Sequence, residues 1–354
     1  MAENAPLRIH GDPDRDELAR LGVASEALLD FSVNVSPLGP HPEVVRAARD
    51  ARLDRYPDTT GRLARESLAD ALGTSPDRIV LGNGAADLLW GIARTFGRSG
   101  PGLVVGPTFS EFPAALRAAG AVTIEVRMRE EERFAVELER VGEAVGRLAP
   151  PVLYLCHPNN PTGRAVGTER LGELAEAHPA TTFVLDEAFL SLSERHAEAR
   201  TPAPPNVIRV RSLTKDHALP GLRVAYALGA PEAVRRLESE RPPWTTSAPA
   251  QAAIVEAVRH PEHVVRARET LLAARRALVA RLEALGLDVI PSETIFVLVR
   301  TGAADALRAR LLERHGILVR SAASFGLPEH VRLCARPEAD VDRLIAALTE
   351  DRSR

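Results

Sequence analysis

Val152-Leu153-Tyr154-Leu155-Cys156-His157-Pro158-Asn159-Asn160-Pro161-Thr162-Gly163 joins a short apolar run to a cluster of turn formers. Five consecutive apolar residues closed by Pro, Asn and Gly predict a strand buried on both faces. The arrangement recurs on both sides of this stretch. "GNGA" follows Leu81, "GPTF" follows Val105, Asp186 closes "TTFVLD", and "SLTK" follows Arg211. The remaining predicted strands are Arg78–Leu81, Leu103–Val105, Val122–Val126, Thr182–Asp186, Val207–Arg211 and Val224–Leu228. Helical patterns lie between most of them, at Ala85–Phe96, Glu111–Ala119, Leu138–Leu148 and Glu169–Ala177. Strands alternating with helices imply an α/β fold, with a mostly parallel central sheet covered by helices. Ligands of such sheets sit at the carboxyl ends of the strands, where the polar clusters fall.

The pattern changes after "ERPPWTTSAP", which begins at Glu240. Residues 251–285 read as one or two long helices. Short strands follow at Ile295–Val299, Ile317–Val319 and Val331–Cys334, with helices at Ala304–Arg314 and Glu338–Leu348. This is a smaller α+β domain. The first 45 residues lack the alternation and are expected to cross to it. The expected division is a large ligand-binding domain at 46–244, and a small domain built from 1–45 and 245–354.

Composition excludes several classes. Of 45 basic residues, 44 are arginine, and the formal net charge is -3. No bulk field favours nucleic acid or a membrane surface. The arginines are interleaved with acids, as in "RMREEERF" from Arg127 to Phe134. Cys156 and Cys334 each end an apolar run, and two distant cysteines make neither a disulfide framework nor a zinc site. The N-terminal "MAENAPLRIHGDPDRDELAR" has no apolar signal core. No apolar run approaches the ~20 residues that span a bilayer. A cytoplasmic enzyme is expected, with no nucleic-acid or membrane partner and no metal.

The lone lysine, Lys215, lies in Ser212-Leu213-Thr214-Lys215. A lysine amine can lose its proton and condense with an aldehyde; a guanidinium cannot. Asp186, at a strand end, can pair with a protonated ring nitrogen. Taken alone it reads better as a helix cap. Gly82-Asn83-Gly84-Ala85-Ala86 brings small residues to a helix start, where backbone N–H groups can meet a phosphate. By itself the glycine pair is a turn. Asn160 can donate its amide to a ring hydroxyl. Ser212, Thr214 and Arg223 offer hydroxyls and a guanidinium suited to a phosphate dianion. Together these clusters are compatible with one ligand carrying an aldehyde, a phosphate and a basic ring nitrogen.

The collinear order "GNG…PTF…HPNNPTG…LDEAF…SLTKDHALPGLR" resembles the pyridoxal-5'-phosphate enzymes of fold type I, the aspartate aminotransferase superfamily. The resemblance implies roles by position. Lys215 is the Schiff-base lysine and the acid/base at carbon. Asp186 pairs with the pyridine nitrogen, Asn160 touches the 3'-oxygen and Phe109 stacks on the ring. Gly84, Ala85, Ala86, Ser212, Thr214 and Arg223 hold the phosphate. Tyr56, in "RYPD", reaches the phosphate of a neighbouring subunit, which implies a homodimer.

Within the superfamily, "LDFSVNVSPLGP" at 29–40, His10-Gly11, "PGLR" and "VRLCARP" most resemble threonine-O-3-phosphate decarboxylases of cobalamin biosynthesis. The near alternative is an aminotransferase for histidinol phosphate or a similar phosphorylated amine. Those aminotransferases usually carry tyrosine where this chain has Phe189, so one donor to the 3'-oxygen is absent here. Asp12, Ser36 and Ser247 also depart from the decarboxylase pattern. The resemblance places Arg336 at the substrate carboxylate and Arg320 near the substrate phosphate, with His10 and Asn34 as further contacts. The implied substrate is a small phosphorylated amino acid. His157 and His217 are read as packing or loop residues.

Overall fold

The computed structural model of the chain describes residues 15–24 and 27–352. Its strands run, in chain order, β1 (Leu29–Asp30), β2 (Ile79–Asn83), β3 (Gly102–Gly106), β4 (Thr123–Arg127), β5 (Val152–Cys156), β6 (Thr182–Asp186), β7 (Val207–Ser212) and β8 (Val224–Leu228). Then come β9 (Asp288–Val289), β10 (Phe296–Arg300), β11 (Ile317–Leu318), β12 (Arg320–Ser321) and β13 (His330–Cys334).

Strands β2 to β8 form one seven-stranded sheet in the order β2-β8-β7-β6-β5-β3-β4. β8 runs antiparallel to β2 and β7. The other pairings are parallel. Reversing one strand has a consequence for chemistry. The carboxyl ends of β2, β3, β5, β6 and β7 lie at one edge of the sheet, and the amino end of β8 lies there with them.

Alternation along β5 shows how the layers form. Val152, Tyr154 and Cys156 enter one core with Leu88, Ile92 and Phe112. Leu153 and Leu155 enter the other with Val141, Val145 and Leu171. Successive side chains point to opposite faces, and helices cover both, so every position of the strand is apolar. Each such buried side chain contributes roughly 1.5–3 kcal/mol of transfer free energy.

The second unit holds an antiparallel sheet, β12-β13-β10-β9, and the parallel pair β1-β11. Leu29 is in register with Ile317 and Asp30 with Leu318, so the N-terminal segment crosses to the C-terminal unit. Leu29 and Phe31 share a core with Val297, Val331 and Leu333. The strand predicted at 317–319 divides here, because Ile317–Leu318 pairs with β1 and Arg320–Ser321 with β13. The long helical stretch after residue 245 is two helices, Ala248–Ala257 and Pro261–Ala284. The break falls at His260-Pro261, where proline lacks an N–H and disfavours helix in the residue before it. Helices Pro42–Arg49 and Ala248–Ala257, at the expected domain boundaries, pack together against Leu81 and Val224 of the large sheet. Among the described residues, no helix is long and apolar enough to cross a membrane.

Candidate active site

A cavity of about 380 Å³ opens at that edge of the large sheet, between it and the smaller unit. Asp186 is the last residue of β6 and Ser212 the last of β7. Lys215 sits on the short helix Leu213–Asp216 that follows β7. Arg223 immediately precedes β8. Ala85 and Ala86 lie in the first turn of helix Gly84–Phe96, directly after β2. All of these except Gly84 line the cavity, together with Phe109, Asn160 and Thr214. The strand ends therefore bring together the residues that the sequence scatters over 140 positions.

Electrostatics separates the two central groups. Asp186 is buried, and burial pushes its carboxyl up. Hydrogen bonds from the Ala188 N–H (3.1 Å) and the Tyr154 hydroxyl (2.9 Å) oppose that rise. Lys215 is partly buried, with its Nζ 5.9 Å from the Phe189 ring centroid. Enclosure of its amine, then the nearby Arg332 and Arg223 guanidiniums, pushes it down to about 8. Burial disfavours an ammonium and like charges disfavour it further. A neutral, nucleophilic amine is thus accessible near physiological pH.

The far end of the cavity gathers hydroxyls, a guanidinium and a helix start that could hold an anion. Ser212 Oγ and Thr214 Oγ1 share a hydrogen bond of 2.6 Å. Gly84 has φ +79°, and a Cβ there would lie 2.5 Å from Arg223 Nη2. Only glycine lets that guanidinium approach the helix start so closely. Two alanines in the first turn leave the backbone N–H groups open to a phosphate. Asn159 ties two loops together, with Nδ2 donating to Pro107 O and Thr162 Oγ1, both at 2.9 Å, and Oδ1 accepting from Thr108. Asn160 is left to face the cavity. Its Oδ1 accepts from Arg332 Nη1 at 2.5 Å, which turns Nδ2 toward other partners. Aldehyde-reactive amine, carboxylate, amide donor and phosphate cradle together fit pyridoxal phosphate.

The smaller unit closes the other wall with Arg320, Phe325 and Arg332, and the N-terminal segment adds Ser32 and Asn34. Asn34 is buried, and neither amide atom has a hydrogen-bond partner among the described residues. Arg332 is buried on β13 and also donates to Ser32 O. Burial and the nearby Arg320 push its guanidinium down, because neither its amide nor its carbonyl partner carries a compensating charge. Arg320 donates to Ser324 Oγ at 2.7 Å and lies over the Phe325 ring.

Arg336 requires a correction. Its Nε donates to Asp340 at 3.1 Å, and it does not line the cavity. β13 ends at Cys334, so Arg336 lies beyond the strand and pairs with the following helix. Arg332, four residues earlier on the strand, occupies the wall instead. Tyr56 is 82% exposed, lies outside the cavity and packs on Trp244 at 4.8 Å. His10 lies outside the described residues, as does Asp12. His157 is buried, contacts Glu198 at 3.2 Å and accepts from Val166 N. His217 stacks on His263. Neither histidine lines the cavity. Sequence reasoning missed Arg332, Glu111, Phe325 and Ser32. For Arg332 the signal was present: an arginine inside the apolar strand "HVRLC".

This fold and this strand-end site define a pyridoxal-phosphate enzyme of fold type I. Residues 26–348 match aminotransferase class I and II, and the chain belongs to that family. It is 34% identical over 352 residues to histidinol-phosphate aminotransferase of Symbiobacterium thermophilum, covering 97% of this chain and 96% of the relative. The structure of histidinol-phosphate aminotransferase from Sinorhizobium meliloti, in complex with pyridoxal-5'-phosphate, superposes with a TM-score of 0.86. That pair is 29% identical, with 99% of this chain and 97% of the other covered. L-threonine-O-3-phosphate decarboxylase from Porphyromonas gingivalis is 27% identical, with a TM-score of 0.81 over 92% of this chain and 99% of that one.

Proposed function

We propose that this protein is an aminotransferase acting on histidinol phosphate or a similar phosphorylated amine, with a 2-oxo acid as acceptor. The decarboxylase reading drawn from sequence motifs becomes second. The preference rests on the similarity to histidinol-phosphate aminotransferase over 97% of the chain.

The cavity chemistry supports the substrate class. Arg223 belongs to the cofactor's phosphate cradle, which leaves Arg320 and Arg332 for anionic groups of the substrate. A guanidinium fork recognises phosphate and carboxylate in two-point fashion. Pyridoxal phosphate supplies an aldehyde that joins the substrate amine and a cationic ring that draws electrons from one bond at the adjacent carbon. The protein does the rest. Asp186 holds the ring nitrogen's proton, and Lys215, with its amine near pH 8, carries the proton at carbon. Arg320 and Arg332 would orient the substrate, and that orientation would select between removal of a proton, which leads to amino transfer, and loss of CO₂.

One observation favours the second reading. Phe189 lines the cavity, packed edge-on against Phe296 at 5.0 Å, and has no hydroxyl to offer the 3'-oxygen. We further propose that the protein acts in the cytoplasm as a homodimer, with the exposed Tyr56 serving the partner's site.

The test is direct. Histidinol phosphate with 2-oxoglutarate is expected to yield glutamate, and O-phosphothreonine alone no CO₂. Release of CO₂ from O-phosphothreonine without a keto acid, and no glutamate from the first mixture, would reverse the assignment.

A further inference from the structure

Asp186 and Glu187 are adjacent acids with opposite surroundings. Glu187 is fully enclosed and takes two arginines, Arg209 Nε at 2.6 Å and Arg211 Nε at 2.8 Å. Among the described residues, Asp186 takes no arginine. Its side-chain hydrogen bonds come from two neutral donors, the Ala188 N–H and the Tyr154 hydroxyl. The chain thus pairs one acid with two guanidiniums and leaves the next, facing the cavity, with neutral hydrogen-bond donors and the more distant charge of Lys215.

Tyr154 is held in place for this contact. It lies in the interior of β5 with no exposed surface, stacked on Phe112 with centroids 4.7 Å apart and planes 11° from parallel. Val184 is its register partner on β6, two residues before Asp186, so both side chains enter the same face. Cys156, nearer to Asp186 in register, bonds Pro158 O instead. The phenol reaches Asp186 Oδ2 while Ala188 N–H holds Oδ1.

We infer that Tyr154 is a positioning residue for the cofactor ring: its hydroxyl fixes Asp186 so that a carboxylate oxygen meets the pyridinium N–H. This rests on reading Asp186 as the partner of the ring nitrogen. A neutral donor suits the task. A hydrogen bond to the charged form favours that form without cancelling its charge. An arginine in the same place would satisfy the carboxylate and remove its need for a ring cation.

The experiment compares Tyr154→Phe, Asp186→Asn and the double variant by titrating the apoprotein with pyridoxal phosphate. A carbocyclic analogue, with the ring nitrogen replaced by CH, serves as the control ligand. Tyr154→Phe is expected to weaken pyridoxal phosphate binding roughly tenfold, the scale of a hydrogen bond to a charged group. Analogue affinity should change by less than about twofold, and Tyr154→Phe should add nothing in the Asp186→Asn background. Equal loss for both ligands, or the same loss in both backgrounds, overturns the inference. If Asp186→Asn itself leaves pyridoxal phosphate affinity unchanged, the reading of Asp186 fails instead. Should Tyr154→Phe not fold, 3-fluorotyrosine at 154 keeps the shape with a stronger donor. It is expected to tighten binding of pyridoxal phosphate alone; unchanged affinity overturns the inference.

Discussion

The two walls of the cavity are built by different means. On the large-sheet side, each functional group stands at a strand end or in the first residues after one: Gly84, Phe109, Asn160, Asp186, Ser212, Lys215. On the other side, Arg332 lies inside a strand and Arg320 begins one. On the proposed reading the first wall takes a constant ligand and is assembled by topology, whereas the second would match a particular substrate and is assembled from side chains that replace apolar neighbours within a sheet.

Breaking the first wall should have the largest effect. Lys215→Ala is expected to lower turnover by roughly 10⁴-fold, at the upper end of what a positioned acid/base contributes. Loss of the protein-bound imine's absorption band should accompany it. Steady-state assay and a spectrum check both.

The second wall is next. Arg332→Ala is expected to cost about 2–5 kcal/mol in kcat/KM, because it removes a desolvated charge that faces the substrate. Arg336→Ala, which loses only a partly exposed pair with Asp340, should change kcat/KM by less than about 0.5 kcal/mol. Kinetics of the two variants side by side sharpen the contrast between the walls.

Gly84→Ala tests the phosphate end. Its φ of +79° and the 2.5 Å approach to Arg223 should cost about 1–3 kcal/mol, read as a lower melting temperature and weaker cofactor affinity. pH reads the Lys215 amine directly. With the Lys215 amine at about 8, the rate of cofactor capture should rise about eightfold from pH 6.5 to 7.5 and level off above 9. The sign for stability follows from the same shift. The folded amine titrates near 8 and the unfolded one near 10.5, so the unfolded chain holds more protons between them. The apoprotein should therefore gain stability as pH rises through that window. Stopped-flow absorbance and denaturation at several pH values check the two statements.

The walls also differ in how far the sequence discloses them. Strands Val152–Cys156, Thr182–Asp186 and Val224–Leu228 were legible to the residue, because both faces are covered and the apolar runs end in turn formers. Lys215 stood out as the lone lysine among arginines. The arginine wall was half hidden. Arg320 lines the cavity as the sequence suggested, but Arg332 was passed over and Arg336 named, since among 44 arginines position within a strand is the deciding fact. That Arg336 lies past the end of β13, and turns to Asp340, depends on where pairing stops. The split of 317–321 between two sheets was hidden for the same reason: a change of partner leaves no mark in hydrophobicity. Tyr154 read as one more apolar strand residue, and its hydroxyl acquires meaning only beside Asp186.

The most direct measurement uses the scarcity of lysine. Protein loaded with pyridoxal phosphate is reduced with borohydride, digested, and mapped by mass spectrometry. The pyridoxyl mass is expected on the peptide that carries Lys215, and to vanish in Lys215→Arg. A label confined to the N-terminal amine, or no label on a protein that still turns over, would contradict the account.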